Sequence, residues 1–156
     1  MKPGTFTQLY VQLVFAVKNR EAMLHENIRH RVFEYVSDIV TEMKHKSIIV
    51  NGVSNHIHIF VGLNPNISIS DTVHDIKRSS SLFINSEKLC RSHFAWQEGY
   101  GAFTYSRSHI NNVYKYIQNQ EKHHKKVLFK EEYIQFLKKF EIDYDERFLF
   151  DFFEDI

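Results

Sequence analysis

The stretch SIIVNGVSNHIHIFVGL, residues 47–63, holds two apolar runs, 47–53 and 56–63, parted by the tight Ser54-Asn55 break. Short runs rich in Ile and Val around a two-residue polar break read as a β-hairpin. Pro65 stops the second run, because proline has no N–H to give to a strand ladder. Before the hairpin, Ile28, Val32, Tyr35, Val36, Ile39, Val40 and Met43 recur at steps of three and four, which predicts an amphipathic helix over 26–44. Residues 5–17 are β-branched and aromatic, with Val11, Leu13 and Phe15 in alternation, and read as a strand.

After the hairpin, Ser70 can cap a second helix with Val73, Ile76, Leu82 and Phe83 on its buried face. Residues 102–106 are short and aromatic, a further strand. Ser108 or His109 opens a third helix bearing Ile110, Val113, Tyr114 and Ile117, and a fourth covers 131–140. The order β-α-β-β-α-β-α predicts an α+β fold. Its core is a ferredoxin-like split βαβ antiparallel sheet with helices on one face, and the tyrosine rides on a helix of the C-terminal part.

Composition narrows the class. The chain has 156 residues, 43% hydrophobic and 25% charged, with five Gly and two Pro, which excludes a disordered or low-complexity protein. One cysteine, Cys90, excludes a disulfide framework and multi-cysteine zinc motifs. No apolar run is long enough for a bilayer and no signal peptide opens the chain, so the expected location is the cytoplasm, with no membrane partner. The net charge of +1 argues against a strongly basic nucleic-acid binder, but it conceals an asymmetry. Residues 141–156 hold seven acids and one base, against 19 bases and 12 acids in residues 1–140. The reading is therefore a 1–140 domain followed by an acidic, aromatic 141–156 tail, a pattern found with polyanion partners. Tyr144, Phe148, Leu149, Phe150, Phe152 and Phe153 are too apolar for a disordered tail and should pack on the domain or on a neighbouring subunit.

Three features carry chemical potential. On a strand, His56 and His58 point to one face while Ile57 and Ile59 point to the other. The two imidazoles are either half-buried polar residues or a pair able to converge on one divalent ion. Tyr116 and Gln120, four apart on the third helix, place a phenol and an amide one turn from each other. Lys77-Arg78-Ser79-Ser80-Ser81, Lys18-Asn19-Arg20 and Arg107-Ser108-His109 are solvated faces or phosphate contacts. Lys122-His123-His124-Lys125-Lys126 is a basic run suited to a helix C-terminus. No obvious second carboxylate for activating a water stands near either motif in the sequence.

Together these pieces resemble one family. Residues 53–60, VSNHIHIF, are similar to the histidine–hydrophobe–histidine (HUH) motif of the small single-strand transposases of bacterial insertion sequences. Residues 116–120, YIQNQ, resemble the single-tyrosine motif of the same family, and 77–81 and 96–103 are similar to stretches between the two. The resemblance spans about residues 5–140. It implies that His56, His58 and Gln120 hold Mg²⁺ or Mn²⁺, with no organic cofactor. Tyr116 would attack the scissile phosphate to leave a 5′-phosphotyrosine and a free 3′-OH, so that a second DNA end can be joined. It also implies a homodimer, with the tyrosine helix of one subunit often serving the other, that binds DNA hairpins and cleaves flanking single-stranded DNA in the bacterial cytoplasm. Lys18, Arg20, Lys77, Arg78 and Arg107 are then the DNA-contact candidates. Asn55 departs from the family, which often has Asp before the first histidine, and predicts weaker metal affinity.

Two alternatives stand beside this. A domesticated, repeat-associated tyrosine nuclease would have the same chemistry. A non-enzymatic RNA-recognition-motif module would explain residues 59–64 and 98–105, but Glu98 stands where that motif wants a base, and residues 1–55 would have no role.

Overall fold

The computed structural model describes residues 3–153. The hairpin forms half of its sheet: β2 (Lys46–Val53) and β3 (His56–Gly62) pair antiparallel across Ser54-Asn55. Gly52 permits the close turn, since a Cβ there would lie 2.3 Å from the His56 carbonyl oxygen. β1 (Tyr10–Ala16) pairs antiparallel with the other edge of β3, and β4 (Gly101–Tyr105) pairs with β1. The order β2-β3-β1-β4 places β3 between β1 and β2, the split βαβ arrangement expected from the sequence.

Register decides what each face carries. Leu13 opposite Ile59 and Phe15 opposite Ile57 face α1 (Glu26–Glu42) and α2 (Ile69–Ser86), forming the main core with Val32, Val36, Val40, Val73 and Ile76. Val14 opposite His58 and Ala16 opposite His56 face the other way. That second face is covered by α3 (Ile110–Gln118) and α5 (Phe129–Lys139), joined through the short α4 (Gln120–His123). Val113 and Ile117 of α3 pack on Phe60, and Phe136 of α5 stacks on Phe103 at 4.9 Å. Each such fully buried side chain contributes about 1.5–3 kcal/mol. With both faces covered, His56 through Val61 are all buried. The open sheet face on which an RNA-recognition motif stacks its bases is absent among the described residues.

Local boundaries differ from the sequence reading for identifiable reasons. β1 begins at Tyr10 rather than at residue 5, since only from there does it have partners on both sides. Ser68, not Ser70, caps α2: its Oγ accepts from the Asp71 N–H at 3.0 Å. Leu82 is left 58% exposed, while Ser80 and Ile84 take the buried stripe. A 3₁₀ turn, Arg107–His109, precedes α3. The helix ends at Gln118, so Gln120 lies past a break at Asn119 and opens α4 instead of continuing the tyrosine helix.

The tail packs only in part: Phe148 is left 82% exposed and Tyr144 is exposed as well, since residues 141–148 run along the surface. Phe150 and Phe153 are buried, with Phe150 4.9 Å from Tyr133 and 5.9 Å from Phe129. The Gln97 amide brackets Asp151, donating to its carbonyl at 2.9 Å and accepting from its N–H at 2.8 Å. The acids Glu154 and Asp155 lie outside the described residues. Among the described residues, no helix is long and apolar enough to cross a membrane.

Candidate active site

The two sequence motifs meet on a residue that belongs to neither. Glu132 of α5, 2% exposed, sits between the histidine strand and the tyrosine helix. His56 Nε2 and His58 Nε2 each lie 3.2 Å from its Oε1. Its Oε2 accepts from the Tyr116 hydroxyl and, at 3.1 Å, from Gln120 Nε2. His124 Nε2 lies 3.2 Å from Oε1, and His123 Nε2 lies 3.4 Å from Oε2 and 3.3 Å from the Tyr116 hydroxyl. The sequence reading found no obvious second carboxylate; Glu132 corrects it, and the run 122–126 is not merely a basic cap, because it sends two imidazoles inward.

Sheet and helix chemistry positions each group. His56 and His58 share a face because they are two apart on β3. The His56 ring stacks on Phe129 at 3.8 Å and 2°. Asn51, opposite His58 on β2, donates to the carbonyls of Ile117 and Gln118 at 2.9 and 3.2 Å and so holds the C-terminal end of α3. The amide nitrogen of Gln12 lies 2.9 Å from His58 Nδ1, and its oxygen accepts from the Tyr105 hydroxyl at 2.7 Å.

Proton positions follow from these partners. Asn55 Nδ2 donates to the Phe153 carbonyl at 2.7 Å, which turns its Oδ1 to His56 Nδ1 at 2.7 Å. An amide oxygen only accepts, so His56 carries its proton on Nδ1. Burial lowers the His56 pKa to about 4, against a partial offset from Glu132, so Nε2 keeps its lone pair at neutral pH. That lone pair faces the Gln120 Oε1 at 3.3 Å as well as Glu132. His124 repeats the pattern. Its Nδ1 lies 2.8 Å from the Val127 carbonyl and must donate, leaving Nε2 buried without a hydrogen-bond partner.

Ligand atoms of His56, His58, His124 and Glu132 all lie within 4.8 Å of one another, so this buried cluster can hold a metal ion. Burial alone would raise the Glu132 pKa, but the neighbouring imidazoles of His58, His124 and His56 outweigh it and hold the group below the usual carboxylate range. Burial, then the charge of Glu132, pushes the Tyr116 phenol well above its ordinary value. The phenol is therefore a neutral donor in the resting chain.

The five basic candidates lie on separate parts of the surface. Lys18 and Arg20 are exposed beyond β1, at the end of the sheet where Ala16 pairs with His56. Arg107 is exposed in the turn before α3. Lys77 and Arg78 are on α2, behind the opposite sheet face. Lys77 is half-buried, donates to the carbonyls of Gln97 and Gly99 at 2.8 and 2.7 Å, and lies 5.2 Å from the Phe15 ring. Ser80 is buried, accepting from Trp96 Nε1 at 2.9 Å.

Comparisons with known proteins bear on the fold and the family. A crystal structure of a candidate transposase from Deinococcus radiodurans R1 is similar over 77% of this chain and 96% of its own, at 21% identity and a TM-score of 0.61. A REP-associated tyrosine transposase, bound to a REP hairpin, is similar over 81% of this chain and 76% of its own, at 13% identity and a TM-score of 0.57. At these identities the likeness is one of fold. No curated protein sequence matches the chain. The sequence profile of the family described as "Transposase IS200 like" matches residues 5–120, from before β1 through the tyrosine helix to Gln120. With that match over most of the chain and the α+β fold in common, the chain belongs to the IS200-like transposase family.

Proposed function

We propose that the chain is a DNA transposase that cleaves and rejoins single-stranded DNA at insertion-sequence ends through a 5′-phosphotyrosine on Tyr116. The observation that supports this reading is the convergence of Tyr116, Gln120, His56 and His58 on Glu132.

His56, His58, His124 and Glu132, with the Gln120 amide oxygen, would hold a divalent ion. Three imidazoles favour Mn²⁺ over Mg²⁺ on ligand type, while supply in the cell favours Mg²⁺. When bound, such an ion supplies polarisation of the scissile phosphate and neutralisation of charge on the departing oxygen. The chain's own residues do the rest. Tyr116 forms the new O–P bond as the P–O3′ bond breaks. Its proton has two acceptors at hand, Glu132 Oε2 and His123 Nε2. The leaving 3′ oxygen takes a proton from water and becomes the free 3′-OH. The phosphotyrosine retains the phosphodiester energy, so a second 3′-OH can reverse the step on another DNA end.

A REP hairpin is bound by the REP-associated relative, and a DNA hairpin beside the cleavage site is the partner proposed for this chain. Lys18, Arg20, Arg107 and Arg78 are the exposed contact candidates; Arg78 and the half-buried Lys77 would need DNA to wrap to the α2 side. A homodimer of the 1–140 domain is compatible with this reading, although all the groups around Glu132 come from one chain.

End-labelled single-stranded oligonucleotides carrying an adjacent hairpin test the proposal. Incubation with Mn²⁺ should yield a cleaved strand and a covalent protein–DNA adduct, and chelation or Tyr116→Phe should abolish both. Cleavage that persists in Tyr116→Phe overturns it.

A further inference from the structure

A cleft of about 350 Å³ lies between α3 and α5, beside β1 and β4. Tyr116 and Glu132 line its buried end, and Tyr105 and Phe136 contribute aromatic surface. Asn112 from α3 and Gln135 and Lys139 from α5 line it with exposed side chains. A second cavity, beside Asn55 and His124, does not touch the tyrosine. His56, His58 and Gln120 are wholly buried, so a phosphodiester needs a route that reaches the phenol. The α3–α5 cleft touches both the phenol and Glu132.

We infer that this cleft is the subsite for one nucleotide flanking the scissile phosphate, and that Asn112 and Gln135 read its base. This rests on the transposase reading above. The volume is at the small end of the range for sites that enclose a single small molecule, which suits one nucleotide and excludes a duplex. A base can enter only unpaired, in keeping with single-stranded DNA as substrate. Side-chain amides carry a donor and an acceptor together, which distinguishes base edges. Tyr105 and Phe136 offer surface to any base. Lys139, whose ammonium lies 6.0 Å from the Tyr105 ring, adds a cation for the neighbouring phosphate without sequence preference. Cleavage-site choice would then be read partly inside the chain, within one nucleotide of the bond that breaks.

The test uses oligonucleotides randomised at the two positions on either side of the cleaved bond, with sequencing of the strands recovered as adduct. The wild type should prefer particular bases at one flanking position. Asn112→Ala or Gln135→Ala should flatten that preference by about tenfold and leave preferences elsewhere and the thermal midpoint in place. Lys139→Ala should lower adduct yield alike for all sequences. Titration of deoxynucleoside 5′-monophosphates should shift the Asn112 and Gln135 side-chain amide resonances. Adduct formation with a flanking preference unchanged in both amide variants, or with none in the wild type, overturns the subsite alone. Absence of any adduct from the wild type overturns the transposase reading and the subsite with it.

Discussion

The Asn55 side chain faces two ways, giving its N–H to the Phe153 carbonyl and its oxygen to His56. The aspartate common in the family at this place could orient the imidazole but could not donate to the tail. Asn55 therefore supplies the orientation that its departure from the family pattern put in question, and it also fastens the tail beside the site. Asn55→Asp should keep the His56 tautomer while setting a carboxylate oxygen against the Phe153 carbonyl. The expected cost is about 1–3 kcal/mol of stability, with faster proteolysis near residues 149–153, checked by urea unfolding and limited digestion; unchanged digestion counts against it. Tyr116, His56, His58 and Gln120 are legible in the sequence through the resemblance of their two motifs to the family. Strand spacing does bring His56 and His58 to one face, whereas Gln120 reaches the site across the helix break at Asn119. Glu132 and His124 are not legible there, because nothing local says that α5 folds back onto β3. One sign was present: Glu132 falls on the apolar stripe of Phe129, Tyr133 and Phe136, where a carboxylate needs partners.

At the scale of elements, the tyrosine helix is held by strand β2 as well as by its own apolar face. Asn51→Leu would remove the two hydrogen bonds that its Nδ2 gives to the Ile117 and Gln118 carbonyls. A loss of about 1–2 kcal/mol and faster amide exchange at residues 115–119 are expected, with lower adduct yield; unaltered exchange would contradict the role. His45 ties α1 to α2 and to the loop after β3: its Nδ1 accepts from the Asn64 N–H at 2.8 Å, and its Nε2 meets Thr72 Oγ1 at 3.0 Å. Burial lowers its pKa, and protonating Nδ1 would break the Asn64 bond. The unfolded chain thus binds this proton more readily than the folded one. The stability gained is full above the unfolded pKa of about 6.5 and is lost as pH falls through the folded value. Denaturant midpoints measured from pH 7 downward should show this loss, and His45→Gln should reduce its slope. Strand order and the four longer helices were legible from the sequence because apolar periodicity encodes them; the short α4 was not. The break at Asn119 and the Ser68 cap were not, since each depends on tertiary packing or on choosing between neighbouring serines.

Across the whole molecule, the +1 net charge gave the least information of any sequence feature. The basic candidates are divided between the end of β1, the turn before α3 and the α2 side of the sheet, and the tail is anchored by Phe150 and Phe153. Deleting it would strip cover from Phe129 and Tyr133, so its electrostatic effect is better probed by neutralising the exposed Glu141 and Asp143. The other consequence at this scale is that one chain assembles the complete candidate site, with the Tyr116 ring 6.0 Å from that of His58. Mixing Tyr116→Phe with His56→Ala should therefore restore no cleavage, whereas a site shared between subunits would recover activity in mixed dimers. The most direct measurement is mass spectrometry of protein digested after incubation with single-stranded DNA and Mn²⁺. The account predicts a nucleotide joined through its 5′ phosphate to the peptide containing Tyr116. A nucleotide on any other residue, or cleaved DNA with no modified peptide, would contradict it.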